Sequence, residues 1–309
     1  MSRIPVWIDC DTGVDDSAAI LTAGQLSAIE IRGISTVAGN VPLANTVKNT
    51  LKICELMGRE IPVYAGAAKP LRVPYIDASY FHGTDGLGGA VLPEPTHKAR
   101  ELKAWEALYQ EAVKQKGNLN LIAIGPLTNV ATALTLYPDL KDYLEKILIM
   151  GGAASGGNIT ACAEFNVYAD PDAAQTVFRS GVPIVMFGLD VTEKAYVTAE
   201  EIVELSKHGS AVTDYIYDST YSRTEYYAAN HIPGACQHDT CPVMYLQHPE
   251  LFTLEEAGVF VETQSELTRG KTVTDLFSDR QFEEKNAMVA LAVDRDAFVS
   301  YMFEALKAY

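Results

Sequence analysis

Short apolar runs of strand length alternate with amphipathic runs of helix length over most of the chain, and this alternation restricts the fold more than any other feature. Strands are expected at residues 5–9, 31–37, 61–64, 119–124, 146–150 and 183–187. Helices are expected at 15–26, 43–57, 102–115, 128–136, 171–180 and 199–207. Strands separated by helices of this length pair in parallel, with helices covering both faces. The expectation is an α/β fold with an open, mostly parallel, Rossmann-like central sheet and extra helices in the C-terminal half. No internal repeat or low-complexity segment interrupts it, so one domain spanning residues 1–309 is expected.

Several loops that follow strands are rich in Gly, Asn and Asp: DTGVDD (11–16), VAGN (37–40), IGPLTN (124–129) and MGGAASGGN (150–158). Open α/β sheets bind ligands beyond the carboxyl ends of their strands, so four polar loops in that position point at one pocket. The stretch 213–227 holds five tyrosines. It reads either as an amphipathic helix packing its rings or as an aromatic wall for a planar ligand.

Charge narrows the partners. Acidic residues number 40 against 24 basic, a formal charge of −16, which argues against nucleic acid held by phosphate contacts. No apolar run approaches the ~20 residues of a membrane helix. The opening MSRIPVWIDC lacks a charged segment followed by a long apolar one, which argues against a secretion signal. The five cysteines are scattered and form no CxxC pair; they read as reduced thiols of a cytoplasmic protein.

Asp9, Asp11, Asp15 and Asp16 fall within eight residues around Gly13. Carboxylates this close repel unless a cation or bound protons neutralise them. Oxygen ligands at this density suit Ca²⁺ or Mg²⁺ better than zinc, and the spacing is not that of an EF-hand. The fragment Asp9-Cys10-Asp11-Thr12 comes close to the D-x-D-x-T of haloacid-dehalogenase-like phosphatases, in which Asp9 would be the nucleophile and Asp11 the acid/base. The acids that scheme wants after a later strand are incomplete, since Gly188-Leu189-Asp190 lacks a second acid nearby.

A larger set of residues resembles the inosine–uridine-type nucleoside hydrolases. It comprises Asp11-Thr12-Gly13-Val14-Asp15-Asp16, Val37-Ala38-Gly39-Asn40, Gly125-Pro126-Leu127-Thr128-Asn129, Met150-Gly151-Gly152, Asn158, Glu164-Phe165-Asn166 and His238-Asp239. Each piece alone is weak, but the ordered set is strong and covers roughly three quarters of the chain. The resemblance implies the nucleoside hydrolase version of the α/β fold and cleavage of the N-glycosidic bond of ribonucleosides. It also implies a Ca²⁺ ion ligated by Asp11, Asp16, Asp239 and the main-chain carbonyl of Thr128, with Asp11 as general base. By the same resemblance Asp15, Asn40 and Asn166 would hold ribose hydroxyls or the attacking water, and Asn158 and Glu164 the 5′-hydroxyl. Glu164 and Asn166, two apart, would face one side of an extended segment.

His238 resembles the family histidine that donates a proton to the leaving base, a role suited to an imidazole that titrates near neutrality. His82, in a Gly-rich segment expected to be a mobile loop, would contact the base, as would Tyr226, Tyr227, Asn230 and His231. The family also implies a homodimer or homotetramer. Thr12 replaces the proline common in this motif, removing a fixed φ while keeping the acids. A Mg²⁺-dependent phosphatase using Asp9, and a nucleoside-binding protein without catalysis, are the competing readings.

Overall fold

The computed structural model describes residues 3–277 and 284–309. Its strands are β1 (Ile4–Cys10), β2 (Ile29–Thr36), β3 (Val63–Ala65), β4 (Leu119–Ala123), β5 (Leu144–Met150), β6 (Ile184–Phe187), β7 (Tyr196–Val197), β8 (Ala235–Cys236), β9 (Phe252–Val261), β10 (Thr272–Asp275) and β11 (Ala287–Val293). The helices are α1 (Val14–Gln25), α2 (Leu43–Leu56), α3 (Ser79–His82), α4 (Ala104–Gln115), α5 (Thr128–Leu136), α6 (Phe165–Ala169), α7 (Pro171–Phe178), α8 (Leu189–Thr192), α9 (Ala199–Ser206), α10 (Ala211–Thr220), α11 (Arg223–Ala229), α12 (Thr240–Gln247) and α13 (Arg295–Lys307).

Side chains of β1 alternate between two cores. Val6, Ile8 and Cys10 join α1, α2, α10, α12 and α13 on one face, while Trp7 joins α4, α5 and α7 on the other. A strand buried on both sides belongs in the middle of a parallel sheet. The nine-stranded sheet has the order β10-β9-β11-β6-β5-β4-β1-β2-β3. Every pairing from β3 across to β11 is parallel; β9 runs antiparallel to β11, and β10 antiparallel to β9. The strand order reverses between β1 and β4, which opens a crevice at their carboxyl ends.

The six expected strands and the helices between them are present, with ends displaced by up to about two residues, as boundary readings are. The C-terminal half departs from expectation in one respect: besides helices it contributes β9, β10 and β11. Glu255 and Glu256 interrupt the alternation of β9, and the run AMVALAV of β11 is an apolar stretch whose period fits strand or helix equally. The tyrosine-rich stretch divides between its two readings. Tyr215 is buried in the core and Tyr217 stacks on Tyr221 at 5.0 Å, whereas Tyr226 and Tyr227 line a cavity. Among the described residues no helix is long and apolar enough to cross a membrane.

Candidate active site

The loop after β1 turns directly into α1, and its acids are fixed by backbone donors. Asp16 reaches back to cap the helix, accepting from Asp11 N at 3.1 Å and Gly13 N at 2.8 Å. Asn40, at the end of the VAGN loop, donates its main-chain N–H to Asp11 Oδ2 at 2.7 Å and its amide to Asp16 Oδ2 at 3.0 Å. Close approach requires glycine here: a Cβ on Gly13 would lie 2.5 Å from His82 Nδ1, and one on Gly39 would lie 2.1 Å from Asp11 Oδ2. Asp239 arrives from the far end of the chain. The short β7–β8 sheet places it at the start of α12, where its carboxylate makes no capping bond.

Carboxylate oxygens of Asp15, Asp16 and Asp239 lie within 4.8 Å of one another. Asp11 borders this trio and is not part of it, so Asp15 stands closer to the centre than the sequence suggested. Burial, followed by repulsion from Asp16, pushes Asp11 well above the usual carboxylate range; burial and then Asp15, Asp16 and Asp11 do the same to Asp239. Asp15 and Asp16 are also raised, with burial the largest cause. Among the described residues, Asp11 Oδ1 and Asp15 Oδ1 are buried with no hydrogen-bond donor. Four clustered acids, two of them with a donorless buried oxygen, fit a hard divalent cation, which would counter these upward shifts.

Asp15 and Asp239 line a cavity of about 380 Å³ that also meets Asn40, Asn158, Glu164 and Asn166, while Asp11 and Asp16 are fully buried beside them. Asn166 donates its amide to the carbonyls of Ile124 at 3.1 Å and Met150 at 3.2 Å, tying the ends of β4 and β5 together. The 164–166 segment is not extended. Glu164 caps α6, accepting from Asn166 N, Val167 N and Gly152 N at 2.8, 3.1 and 2.9 Å. The two side chains therefore converge through a helix cap and not through strand alternation. Burial lifts the Glu164 carboxyl to about 7 despite these donors. Asn158 Oδ1 accepts from Phe165 N at 2.9 Å.

Aromatic side chains form another part of the wall. Phe81 packs edge-on against His82, Tyr226 and Tyr227, at 4.9, 5.0 and 5.7 Å between ring centroids. His82 closes the α3 turn and is buried; its Nδ1 accepts from Val14 N at 3.2 Å, leaving Nε2 as the protonated nitrogen. Burial, helped by Arg223 and His238, lowers its pKa to about 3. His238 is held between Thr192 Oγ1, 2.8 Å from Nδ1, and the Tyr227 hydroxyl, 3.1 Å from Nε2. Burial lowers its pKa to about 4, so the imidazole is neutral at pH 7 rather than poised near neutrality.

Three expectations fail on geometry. Thr128 opens α5, its carbonyl accepts from Thr132 Oγ1 at 2.7 Å, and its hydroxyl binds Asp170, so it does not face the cavity. Ile124, four residues earlier, does line the cavity, and its carbonyl accepts from Asn166 at 3.1 Å. His231 is exposed, has φ of 62° and does not line the cavity, although its neighbours Asn230 and Ile232 do. Asp9 is fully buried, bonded to Ser35 and to Asn129 Nδ2 at 2.8 Å, a position from which it reaches no substrate as a nucleophile. Tyr80, Phe81, Ile232 and Glu193 line the cavity unanticipated. Ile124 was within reach of sequence reasoning, since it sits where β4 ends and ligand-facing carbonyls gather. Glu193 carried no such signal.

The family model described as inosine-uridine preferring nucleoside hydrolase matches residues 6–300. The pyrimidine-specific ribonucleoside hydrolase RihA of Escherichia coli O81 is 39% identical, with 99% of each chain covered, and that of Citrobacter koseri is 40% identical over the same share. Among solved structures, a purine-preferring ribonucleoside hydrolase from Gardnerella vaginalis superposes with a TM-score of 0.92 at 32% identity, covering 98% of both chains. A plant nucleoside hydrolase does so with a TM-score of 0.93 at 30% identity over 100% of both. The chain belongs to the inosine–uridine-preferring nucleoside hydrolase family. It is an enzyme of the ribonucleoside hydrolase class.

Proposed function

We propose that the protein cleaves the N-glycosidic bond of ribonucleosides, uridine and inosine among them, to free base and ribose, with Ca²⁺ as cofactor. The observation that carries this reading is the pair of donorless buried oxygens, Asp11 Oδ1 and Asp15 Oδ1, beside Asp16 and Asp239 at a cavity of nucleoside dimensions. Asp11, Asp16, Asp239 and the Ile124 carbonyl, in place of that of Thr128, would hold the ion. When bound, the cation supplies a polarised water and a grip on the ribose diol.

The protein's own residues do the rest. Asp11 Oδ1 takes the proton of the attacking water. Asp15, Asn40 and Asn166 orient ribose hydroxyls, while Asn158 and Glu164 hold the 5′ end. Positive charge develops on the sugar as the bond breaks, and the buried acids stabilise that charge more than they stabilise a neutral substrate. Phe81, Tyr226 and Tyr227 stack against the base, His82 offers it an Nε2–H donor, and Asn230 borders it. Tyr227 and His238 form the hydrogen-bonded pair that delivers a proton to the departing base. A homodimer or homotetramer, supported by the resemblance alone, belongs to the same reading, as does a cytoplasmic location, supported by the scattered cysteines.

The test is incubation with uridine, inosine and p-nitrophenyl phosphate. Ribose release from a nucleoside is the expected result. Phosphate release alone, or nucleoside binding without turnover, refutes the reading.

A further inference from the structure

The cavity wall that carries Asn158 is a loop, residues 151–163, whose middle is exposed and contains Gly156 and Gly157. Asn158 is tied at the far end of this loop, its N–H donating to Ala163 O at 3.1 Å and its Oδ1 accepting from Phe165 N at 2.9 Å, and the loop holds its course only if the near root is fixed as well. The root is Ala153–Ala154, and both polar groups of the Ala154 backbone are taken by opposite charges. Asp190, in α8, accepts from Ala154 N at 2.6 Å and from Ser155 N at 3.1 Å. Lys271 donates from Nζ to the carbonyls of Ala153 and Ala154, both at 2.9 Å. Lys271 comes from the turn between β9 and β10, which also touches the loop's far end, where Cys162 Sγ donates to Leu267 O at 3.5 Å.

The ammonium is not needed to dock β10. Thr272 already bonds Ala153 in both directions, accepting from its N–H and donating to its carbonyl, each at 2.8 Å. What Lys271 adds is the Ala154 carbonyl, which shares a peptide with the Ser155 N–H held by Asp190, just before the glycines that lead to Asn158. Half-burying an ammonium to reach two carbonyls has a desolvation cost that a neutral residue would avoid.

We propose that Lys271 is a positioning residue for the ribose 5′-hydroxyl: with Asp190 it clamps the root of the 151–163 loop and so sets the place of Asn158. This rests on the reading that Asn158 and Glu164 take the 5′ end of the substrate. Lys271 acts through the loop and touches no substrate.

The experiment compares kcat/KM for uridine and 5′-deoxyuridine in wild type, Lys271→Met, Lys271→Arg and Asn158→Ala. Methionine keeps the aliphatic stem, and arginine keeps the donors. In Lys271→Met, turnover of uridine should fall about tenfold and that of 5′-deoxyuridine less than about twofold, as expected for one lost positioned hydrogen bond. Lys271→Arg should recover most of the uridine rate, and Asn158→Ala should show the same selective loss. Equal falls on both substrates in Lys271→Met, or no fall on either, overturn the clamp. If Asn158→Ala still discriminates in that case, only the clamp fails; if it does not, the 5′ reading falls with it.

Discussion

Asp239→Asn should stabilise the cation-free protein and weaken its response to calcium, two effects of opposite sign from one substitution. Without a cation the Asp239 carboxyl is pushed up by burial and then by Asp15, Asp16 and Asp11. A carboxyl whose folded pKa is raised costs stability at every pH above its unfolded value, because the folded chain must either bind a proton or hold an unwelcome charge. Asparagine removes that cost, which for one uncompensated buried charge is about 1–3 kcal/mol. At about 2 °C per kcal/mol for a chain of this size, the variant should melt about 2–6 °C above wild type in EDTA. The gap should be small near pH 4, the ordinary carboxylate range, and widen as pH rises toward 7. Calcium should close or reverse that gap. At a free concentration of about 100 times Kd it adds about 2.7 kcal/mol to wild type, whereas the variant has lost a ligand and gains little. Thermal melts of both proteins in EDTA and in calcium read out all four values. A variant that melts below wild type in EDTA and keeps the full calcium shift would refute the reasoning.

Two further predictions concern the substrate. His238→Ala should slow uridine hydrolysis by about 10²–10⁴ while leaving p-nitrophenyl riboside, whose leaving group needs no proton, nearly unaffected; because Tyr227 is hydrogen-bonded to His238, Tyr227→Phe should share the effect without adding to it. Equal slowing of both substrates removes the pair from proton delivery. Ribonucleosides should be cleaved much faster than 2′-deoxynucleosides, as paired rate measurements would show, and equal rates would contradict a site that grips the vicinal diol.

Much of this architecture is legible in the chain because its signals are local. The apolar runs of β1, β4, β5 and β6 are buried on both faces and short enough to read as strands, and the acids of the first loop announce themselves by proximity. The losses have a common cause: they depend on how a backbone group is used in three dimensions. Thr128 and Ile124 lie four residues apart in one motif, yet one carbonyl is turned into the first turn of α5 while the other, at a strand end, belongs to a residue that lines the cavity and accepts from Asn166. Glu164 and Asn166 have spacing that suits a strand, but the Glu164 carboxylate captures three N–H groups and starts a helix. The pKa of His238 follows from its burial beneath Tyr227, which no spacing reveals. The strands β9, β10 and β11 pair over long separations, and nothing in their local pattern marks them.

The central claim is that Asp11 and Asp16 of the first loop, with Asp239 from the start of α12, hold one divalent cation. Calorimetric titration of calcium into chelator-stripped protein tests it most directly. One ion should bind per chain in wild type and none in Asp16→Ala. Stripped wild-type protein that takes up no calcium, or an Asp16→Ala variant that binds it unchanged, would contradict the account.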